Sequence, residues 1–131
     1  MLCHMAETAS IAITEADIRS GVPVSIVASL PIALGITTAE LLDWLHLPAR
    51  TWARRKQTGV FELLEGDRLA RLSRLIKRSR NVLGGSSEAR TWLKTPNRAL
   101  DGRTPFAASD TEAGAEAVFA LLGRIEHGVF S

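Results

Sequence analysis

The chain has 131 residues, of which 46% are hydrophobic and 23% charged. This composition predicts a soluble globular protein that forms one domain, or two very small domains that share a core. Because Cys3 is the only cysteine, an internal disulfide and a cysteine-rich zinc site are excluded, and an intracellular, reducing compartment is favoured. The first ten residues lack a signal-peptide pattern, and two prolines break the apolar stretch 22–36. We therefore expect a cytoplasmic protein without a membrane span.

Charge is distributed unevenly along the chain. Residues 1–48 hold one basic and five acidic residues, for −4; residues 49–103 hold fourteen and five, for +9; residues 104–131 hold one and four, for −3. A basic middle between acidic ends indicates a surface that meets polyanions. A set of well-solvated helical faces accounts for the same pattern, so charge alone leaves both interpretations open.

Caps, glycines and prolines predict short helices in the first 60 residues. Thr37 and Glu40 stand at the spacing of a capping box, and Pro48 suits the first residue of a helix. Pro31 lies inside one of the expected helices and should kink or split it. The helices are expected between Thr14 and Gly21, from Val24 to about Leu34, from Thr38 to about Leu45, and from Pro48 to about Gln57.

Leucines at helical spacing predict one long helix from about Glu65 to Leu83, after an apolar lead-in at Phe61, Leu63 and Leu64. No stretch of the sequence alternates apolar and polar residues for long enough to be a strand. We therefore predict an all-α protein, with an N-terminal helix-turn-helix half over residues 1–60 and a C-terminal helical half over residues 61–131. In the C-terminal half we also predict a helix cap at Ser86 or Ser87, a turn at Asp101-Gly102 and a helical turn opened by Thr104-Pro105. A last helix is predicted to be capped by Asp110 and ended by Gly128. Its predicted core stripe is Ala113, Ala117, Val118, Leu121, Leu122 and Ile125.

The segment 37–57 has the arrangement of a DNA-reading helix-turn-helix unit: a short helix, a tight turn at His46 and Leu47, and a second helix rich in cations. In such units the second helix enters the major groove, where Arg and Lys reach bases and phosphates. A basic surface helix without a ligand has the same pattern. The candidate DNA-binding residues are Arg50, Thr51, Arg54, Arg55 and Lys56.

Six further cations decorate the long helix, and three interpretations of them stay open. They are placed to add phosphate contacts that carry no sequence information, to pair with acids of a partner protein, or simply to be solvated. Solvation needs no ligand and is the interpretation with the fewest assumptions. The six residues are Arg68, Arg71, Arg74, Lys77, Arg78 and Arg80.

Catalytic and metal-binding patterns are missing from the sequence. The histidines His4, His46 and His127 are far apart, with no cysteine or carboxylate cluster at ligand spacing. Cys3 lies in an expected loose tail, and no serine stands in a nucleophile-elbow pattern. The step Gly84–Ser87 precedes a helix but lacks the lysine and spacing of a phosphate-binding loop. We therefore expect no enzymatic activity, no cofactor and no metal site.

The C-terminal segment carries an ordered set of signals: a Trp-Leu pair, a Pro-Asn step, a Leu-Asp-Gly turn, a Thr-Pro helix start and a Gly-Val close. In order and spacing it resembles the C-terminal toxin-binding domain of the Xre/MbcA/ParS family of bacterial antitoxins. The cationic helix likewise resembles the TxxRR recognition helix of Xre-type antitoxins, at Thr51, Arg54 and Arg55. The C-terminal match falls on Gly84, Glu88, Ala89, Trp92, Leu93, Pro96, Asn97, Leu100, Gly102, Pro105, Gly114, Leu121, Leu122, Ile125, Gly128 and Val129.

The resemblance implies an antitoxin of a type II toxin–antitoxin pair, whose partner is a RES-domain toxin that consumes NAD. Such an antitoxin blocks the toxin's active site sterically with its C-terminal domain, and it represses its own operon as a homodimer on operator DNA. The family commonly has Tyr where this chain has His127. A stand-alone helix-turn-helix regulator without a toxin partner is the alternative. The implied toxin-binding residues are Arg124, His127, Gly128, Val129, Phe130 and Ser131.

Overall fold

The structure, a computed structural model, describes residues 12–128. Within that range the chain forms eight α-helices and a 3₁₀ turn, with an isolated bridge between Pro23 and Val60 and no strand. The all-α prediction is therefore confirmed. The helices are α1 (Glu15–Ser20), α2 (Ile26–Leu34), α3 (Thr38–Trp44), α4 (Ala49–Thr58), α5 (Leu63–Leu83), α6 (Ser86–Leu93), α7 (Pro105–Ala108) and α8 (Glu112–Glu126), and the 3₁₀ turn spans Arg98–Leu100.

The helices divide into two compact units, and the division falls after residue 73, inside α5. The sequence expectation divided the chain after residue 60, at a glycine break. The first part of α5 packs with the first unit because its cations reach back to α3 and the turn that follows it. Arg68 donates to the Leu45 carbonyl oxygen at 3.2 Å, and the Arg71 guanidinium lies 5.6 Å from the centroid of the Trp44 ring.

Reciprocal capping fixes the starts of α1 and α3. The Thr37 hydroxyl accepts from the Glu40 backbone N–H at 3.1 Å, and the Glu40 carboxylate accepts from the Thr37 N–H at 2.9 Å. The same exchange joins Thr14 and Asp17, and these hydrogen bonds lower the pKa of Asp17. The capping box predicted at Thr37 and Glu40 is therefore confirmed. In the tight turn after α3, His46 adopts the left-handed conformation with φ 57°.

Helix α2 begins two residues later than predicted and is not interrupted. Its start is delayed because the Val24 N–H donates to the Gly59 carbonyl oxygen at 3.0 Å, which holds residues 23–25 in a turn. A kink or a split was predicted at Pro31, and the split is wrong because Pro31 lies inside one continuous helix. Pro31 is buried together with Leu30 and Leu34. Burial of this apolar face offsets the hydrogen bond that a proline nitrogen cannot donate.

Helix α5 starts at Leu63, two residues before its predicted start. Leu63 and Leu64 form its first turn, so they belong to the helix and not to the apolar lead-in that was predicted before it. Their side chains are 55% and 69% exposed. Phe61, by contrast, is buried just before the helix. The helical spacing predicted for its apolar residues is confirmed by burial of Leu69, Leu72, Leu75 and Ile76.

Two predicted caps in the second unit are displaced by one position. Gly85, with φ 155° and no side chain, is the N-cap of α6, so neither Ser86 nor Ser87 caps that helix. The Thr111 hydroxyl, and not Asp110, caps α8 by accepting from the Gly114 N–H at 3.0 Å. The predicted turn at Asp101-Gly102 and the Thr104-Pro105 helix start are both present. The 3₁₀ turn, capped by the Asn97 side chain, was not predicted.

The buried face of α8 is rotated from the predicted stripe. Val118 and Leu122 are fully buried as predicted, whereas Leu121 and Ile125 are only half-buried. Ala113 and Ala117, also predicted as core, are exposed, and Gly114 and Ala115 are buried in their place. The reason is close contact with α7: a Cβ on Gly114 would lie 2.9 Å from the carbonyl carbon of Ala108 and closer still to its oxygen.

Candidate DNA-binding and partner-binding surfaces

Helix α4 presents most of its predicted DNA-binding cations to solvent. Arg50, Arg54 and Lys56 are exposed, and Thr51 is half-buried. Arg50 and Arg54 lie one turn apart and share the outward face. The Lys56 ammonium lies 5.5 Å from the Trp52 ring centroid, a cation–π contact along the side of the helix. The helix therefore combines two exposed arginines with one lysine held against an aromatic ring.

The opposite face of α4 is anchored by aromatic and backbone contacts. Trp52 stacks on Phe61 with ring centroids 6.1 Å apart and an interplanar angle of 18°. Phe61 is itself only 2% exposed, and its N–H donates to the Val22 carbonyl oxygen at 2.8 Å. Gly59 closes the helix in the left-handed conformation, with its N–H on the Arg55 carbonyl oxygen. These contacts hold the C-terminal end of α4 against the body of the first unit.

Arg55 differs from its neighbours because its side chain is turned inward. Its guanidinium binds the Glu65 carboxylate with both arms, Nε to Oε1 at 2.7 Å and Nη2 to Oε2 at 3.0 Å. A second carboxylate, that of Glu62, lies 3.1 Å from Nη2. The Arg55 and Glu65 side chains are 11% and 9% exposed. The hydrogen bonds that Arg55 donates to Glu65 raise the pKa of Arg55.

Glu65 is held as a carboxylate by the groups around it. Burial alone would raise the pKa of Glu65. The hydrogen bonds from Arg55 and from the Glu62 backbone N–H outweigh burial, aided by the charges of Arg55 and Arg68, and the pKa of Glu65 is lowered. The sequence offered no signal for this pair, since an acid ten residues after an arginine has no fixed geometry across a helix break.

The six cations of α5 do not form one solvated face. Arg71 is buried against Trp44, Arg68 is half-buried on the Leu45 carbonyl, and Arg78 pairs with Glu126. These three take part in packing within the units to which they belong. The remaining three are exposed or half-exposed: Arg74, Lys77 and Arg80.

The predicted partner-binding residues lie at the end of α8. Arg124, His127 and Gly128 are exposed, and Val129, Phe130 and Ser131 lie outside the described residues. Between them, Glu126 accepts from both terminal nitrogens of Arg78, with Nη1 to Oε2 at 3.1 Å. This pairing lowers the pKa of Glu126 and raises that of Arg78. The ion pair ties the last turn of α8 to the second half of α5.

Part of the outward face of α8 carries only small residues. Ala113, Ala117 and Ala120 are exposed, and a Cβ added to Gly123 would meet no atom within 4 Å. Two of these alanines, Ala113 and Ala117, were predicted as core, and that prediction is wrong. Gly123 was not singled out at all. A glycine inside a helix that needs no room for packing is the signal that could have marked it.

Neither a metal site nor a membrane-spanning single helix is found among residues 12–128. Across residues 12–128, no three His, Cys, Asp or Glu side chains are grouped so as to hold a metal ion. No single described helix is long and apolar enough to cross a membrane. Helices α2 and α3 reach that length and composition only when counted together, across a bend of 98°.

Comparison with known proteins gives two adjoining matches. Residues 15–74 match the antitoxin Xre-like helix-turn-helix domain, and residues 78–128 match the antitoxin Xre/MbcA/ParS C-terminal toxin-binding domain. The chain is 37% identical over 117 residues to Antitoxin Xre of Yersinia enterocolitica serotype O:8 / biotype 1B, covering 88% of this chain and 79% of that protein. It is 34% identical over 118 residues to Antitoxin Xre of Photorhabdus laumondii subsp. laumondii, covering 88% and 80%. The resemblance found in the sequence is thereby confirmed, and the chain belongs to the Xre family of antitoxins, with a helix-turn-helix domain followed by a toxin-binding domain.

Proposed function

We propose that this antitoxin neutralises a RES-domain toxin that consumes NAD, and that it does so by steric occlusion of the toxin's active site. The observation that carries the proposal is the match to a toxin-binding domain whose end, at Gly128, coincides with an exposed helix terminus. Arg124 and His127 offer a cation and an imidazole there, on a terminus braced by the ion pair of Glu126 with Arg78. In this proposal the antitoxin covers the toxin's active site and catalyses no reaction itself.

The identity of the toxin is tested first by the reading frame beside the antitoxin gene. A RES-type frame is expected there, and co-expression of the two products should give a complex that co-purifies. The complex should lack the NAD loss that the toxin alone causes. A neighbouring frame of another enzyme class, whose product the antitoxin neutralises, would remove the RES toxin from the proposal.

The position of the toxin-binding surface is tested by deletion and by charge reversal. Removal of Gly128–Ser131 should abolish protection of cells that express the toxin while the helical content is retained. Arg124→Glu should weaken the complex in the same way. Arg54→Glu, an equal charge reversal on the exposed face of α4, is the matched control and should leave protection intact. Full protection by the truncated chain would exclude the C-terminal end as part of the contact.

We propose further that α4 binds operator DNA and that the antitoxin represses its own operon as a homodimer. Support comes from the match to a helix-turn-helix domain and from the exposure of Arg50, Arg54 and Lys56, with Thr51 beside them. A homodimer would present two such helices to paired half-sites. Analytical ultracentrifugation tests the oligomeric state, and a single boundary at the monomer mass under all conditions would exclude the dimer.

The DNA surface is tested with a duplex from the region upstream of the antitoxin gene. Replacement of Arg50 and Arg54 by Ala should weaken binding and lower the slope of log affinity against log salt by about one for each phosphate that is no longer neutralised. Arg124→Glu, on the second unit, is the control that should leave DNA binding unchanged. Unchanged binding by the double variant would place the DNA surface elsewhere.

A further inference from the structure

We propose that Arg55 and Glu65 form a positioning pair that sets the pose of α4, and that Arg55 itself does not contact DNA. This inference rests on the proposed binding of DNA by α4, and it changes the role expected for one of the two adjacent arginines. In the proposal, Arg54 reaches the nucleic acid and Arg55 holds the helix that carries it.

The geometry of an α-helix separates the two arginines. Successive residues are rotated by about 100° around the axis, so adjacent side chains cannot share a face. Arg54 follows Arg50 on the outward face, whereas Arg55 lies nearer Trp52, which stacks on the buried Phe61. The guanidinium of Arg55 is therefore directed to the body of the unit, and its side chain is 11% exposed.

Glu65 connects three parts of the first unit. Its two oxygens receive the two arms of Arg55 at 2.7 and 3.0 Å, which fixes the plane and direction of the guanidinium as well as its distance. Oε1 also accepts from the Glu62 backbone N–H at 2.9 Å, just before α5 begins. One carboxylate thus ties the recognition helix to the first turn of α5. A bidentate pair at this point resists rotation of α4 about its own axis, which a single aromatic contact does not.

The Arg55 guanidinium has little capacity left for a phosphate. Glu65 occupies Nε and Nη2, and the Glu62 carboxylate lies 3.1 Å from Nη2. Any DNA contact by Arg55 would require it to leave two carboxylates, and breaking a buried pair is costly because one charge is left uncompensated. Arg50 and Arg54, by contrast, are exposed to solvent.

The direction in which Glu65→Gln changes DNA affinity distinguishes a positioning role from a purely electrostatic one. Glu65→Gln removes a negative charge from the neighbourhood of the DNA surface. If Glu65 acted only through charge, or if it restrained an arginine that would otherwise bind phosphate, the substitution would strengthen DNA binding and steepen its salt dependence. If Glu65 positions α4, the substitution weakens binding to the preferred sequence although the protein has become more positive.

The measurement uses two probes of equal length and composition: a duplex from the region upstream of the antitoxin gene, and a scrambled duplex. Their affinity ratio is independent of the folded fraction, because both affinities fall together when molecules unfold. For Glu65→Gln we expect the ratio to fall about tenfold, the discrimination supplied by one well-placed base contact. Asp67→Asn removes the same charge from an exposed carboxylate of the same helix and is the matched control, with a ratio within about twofold of wild type.

The exchanged pair, Arg55→Glu with Glu65→Arg, supplies the rescue. It should restore part of the affinity ratio. No recovery is possible if DNA binding requires an arginine at position 55, because the exchanged variant has none there. A raised affinity for the upstream duplex in Glu65→Gln, or an unchanged ratio, would overturn the positioning role. Arg54→Ala separates this failure from that of DNA binding itself: if Arg54→Ala leaves affinity and salt slope unchanged, the proposal that α4 binds DNA is the one that fails.

Discussion

Two glycines of α8 should respond in opposite directions to the same substitution. At Gly123, an added methyl group would meet open space, with no atom within 4 Å. At Gly114, the same methyl group would lie 2.9 Å from the Ala108 carbonyl carbon and 3.0 Å from the Thr111 hydroxyl. Gly123→Ala should therefore stabilise the second unit, and Gly114→Ala should destabilise it.

The magnitudes follow from helix propensity and packing. Alanine is favoured over glycine inside a helix by about 0.8–1 kcal/mol, since glycine loses more backbone entropy. Gly123→Ala should realise most of this gain. Gly114 lies in the first turn, where the gain is smaller, and its substitution forces α8 away from α7. Overpacking of this kind costs about 1–3 kcal/mol, so the net change at Gly114 should be destabilising by about 1 kcal/mol or more.

Thermal unfolding followed by circular dichroism measures both effects in the isolated antitoxin. For a domain of this size we expect a Tm increase of about 2–4 °C for Gly123→Ala and a decrease at least as large for Gly114→Ala. The two variants control for each other, because the chemical change and the helix are the same. A rise in Tm for both would show that α7 can move away from α8 without loss of stability, and it would refute the packing argument at Gly114.

Three further outcomes are expected. Gly123→Ala should also lower the affinity for the toxin, measured by calorimetry, if the exposed face of α8 belongs to the proposed contact. Leu72→Ala, at a fully buried site, should cost about 2–5 kcal/mol in urea unfolding, whereas Leu64→Ala, at a site 69% exposed, should cost little. Because the folded pKa of Glu65 is lowered, its contribution to stability is present above the unfolded pKa near 4.5 and disappears as pH falls further. The stability difference between wild type and Glu65→Gln should therefore shrink below about pH 4.5.

Helix starts and turns were predicted well from the sequence because the interactions that form them join residues within one helical turn. A capping box such as that of Thr37 and Glu40 closes within one helical turn, so its residues and spacing suffice to place the helix start. The same holds for the Thr104-Pro105 start and for the turn at Asp101-Gly102. Where two neighbouring residues compete for one role, as Asp110 and Thr111 do at the start of α8, the sequence does not decide between them.

The errors fall where contacts between distant residues decide the outcome. The stripe of α8 was misjudged at Ala113 and Ala117 because alanine suits either face of a helix, and the close approach of α7 at Gly114 selects the buried one. Pro31 was expected to kink or split α2 because proline disrupts isolated helices, but burial among apolar neighbours keeps the helix unsplit. The pairing of Arg55 with Glu65 likewise depends on how two helices are oriented, which residue order alone does not specify.

The charge count of the basic segment overstates the surface available to DNA. Residues 49–103 carry a net charge of +9, yet Arg55, Arg68, Arg71 and Arg78 are engaged with groups of their own units. On α4 the exposed cations are Arg50, Arg54 and Lys56. Three phosphate contacts would give a salt slope of about −3 per chain, whereas neutralisation of the whole net charge would give about −8. Titration of the upstream duplex at several salt concentrations distinguishes these values. A slope steeper than about −6 per chain would mean that a larger surface, beyond α4, meets the phosphates.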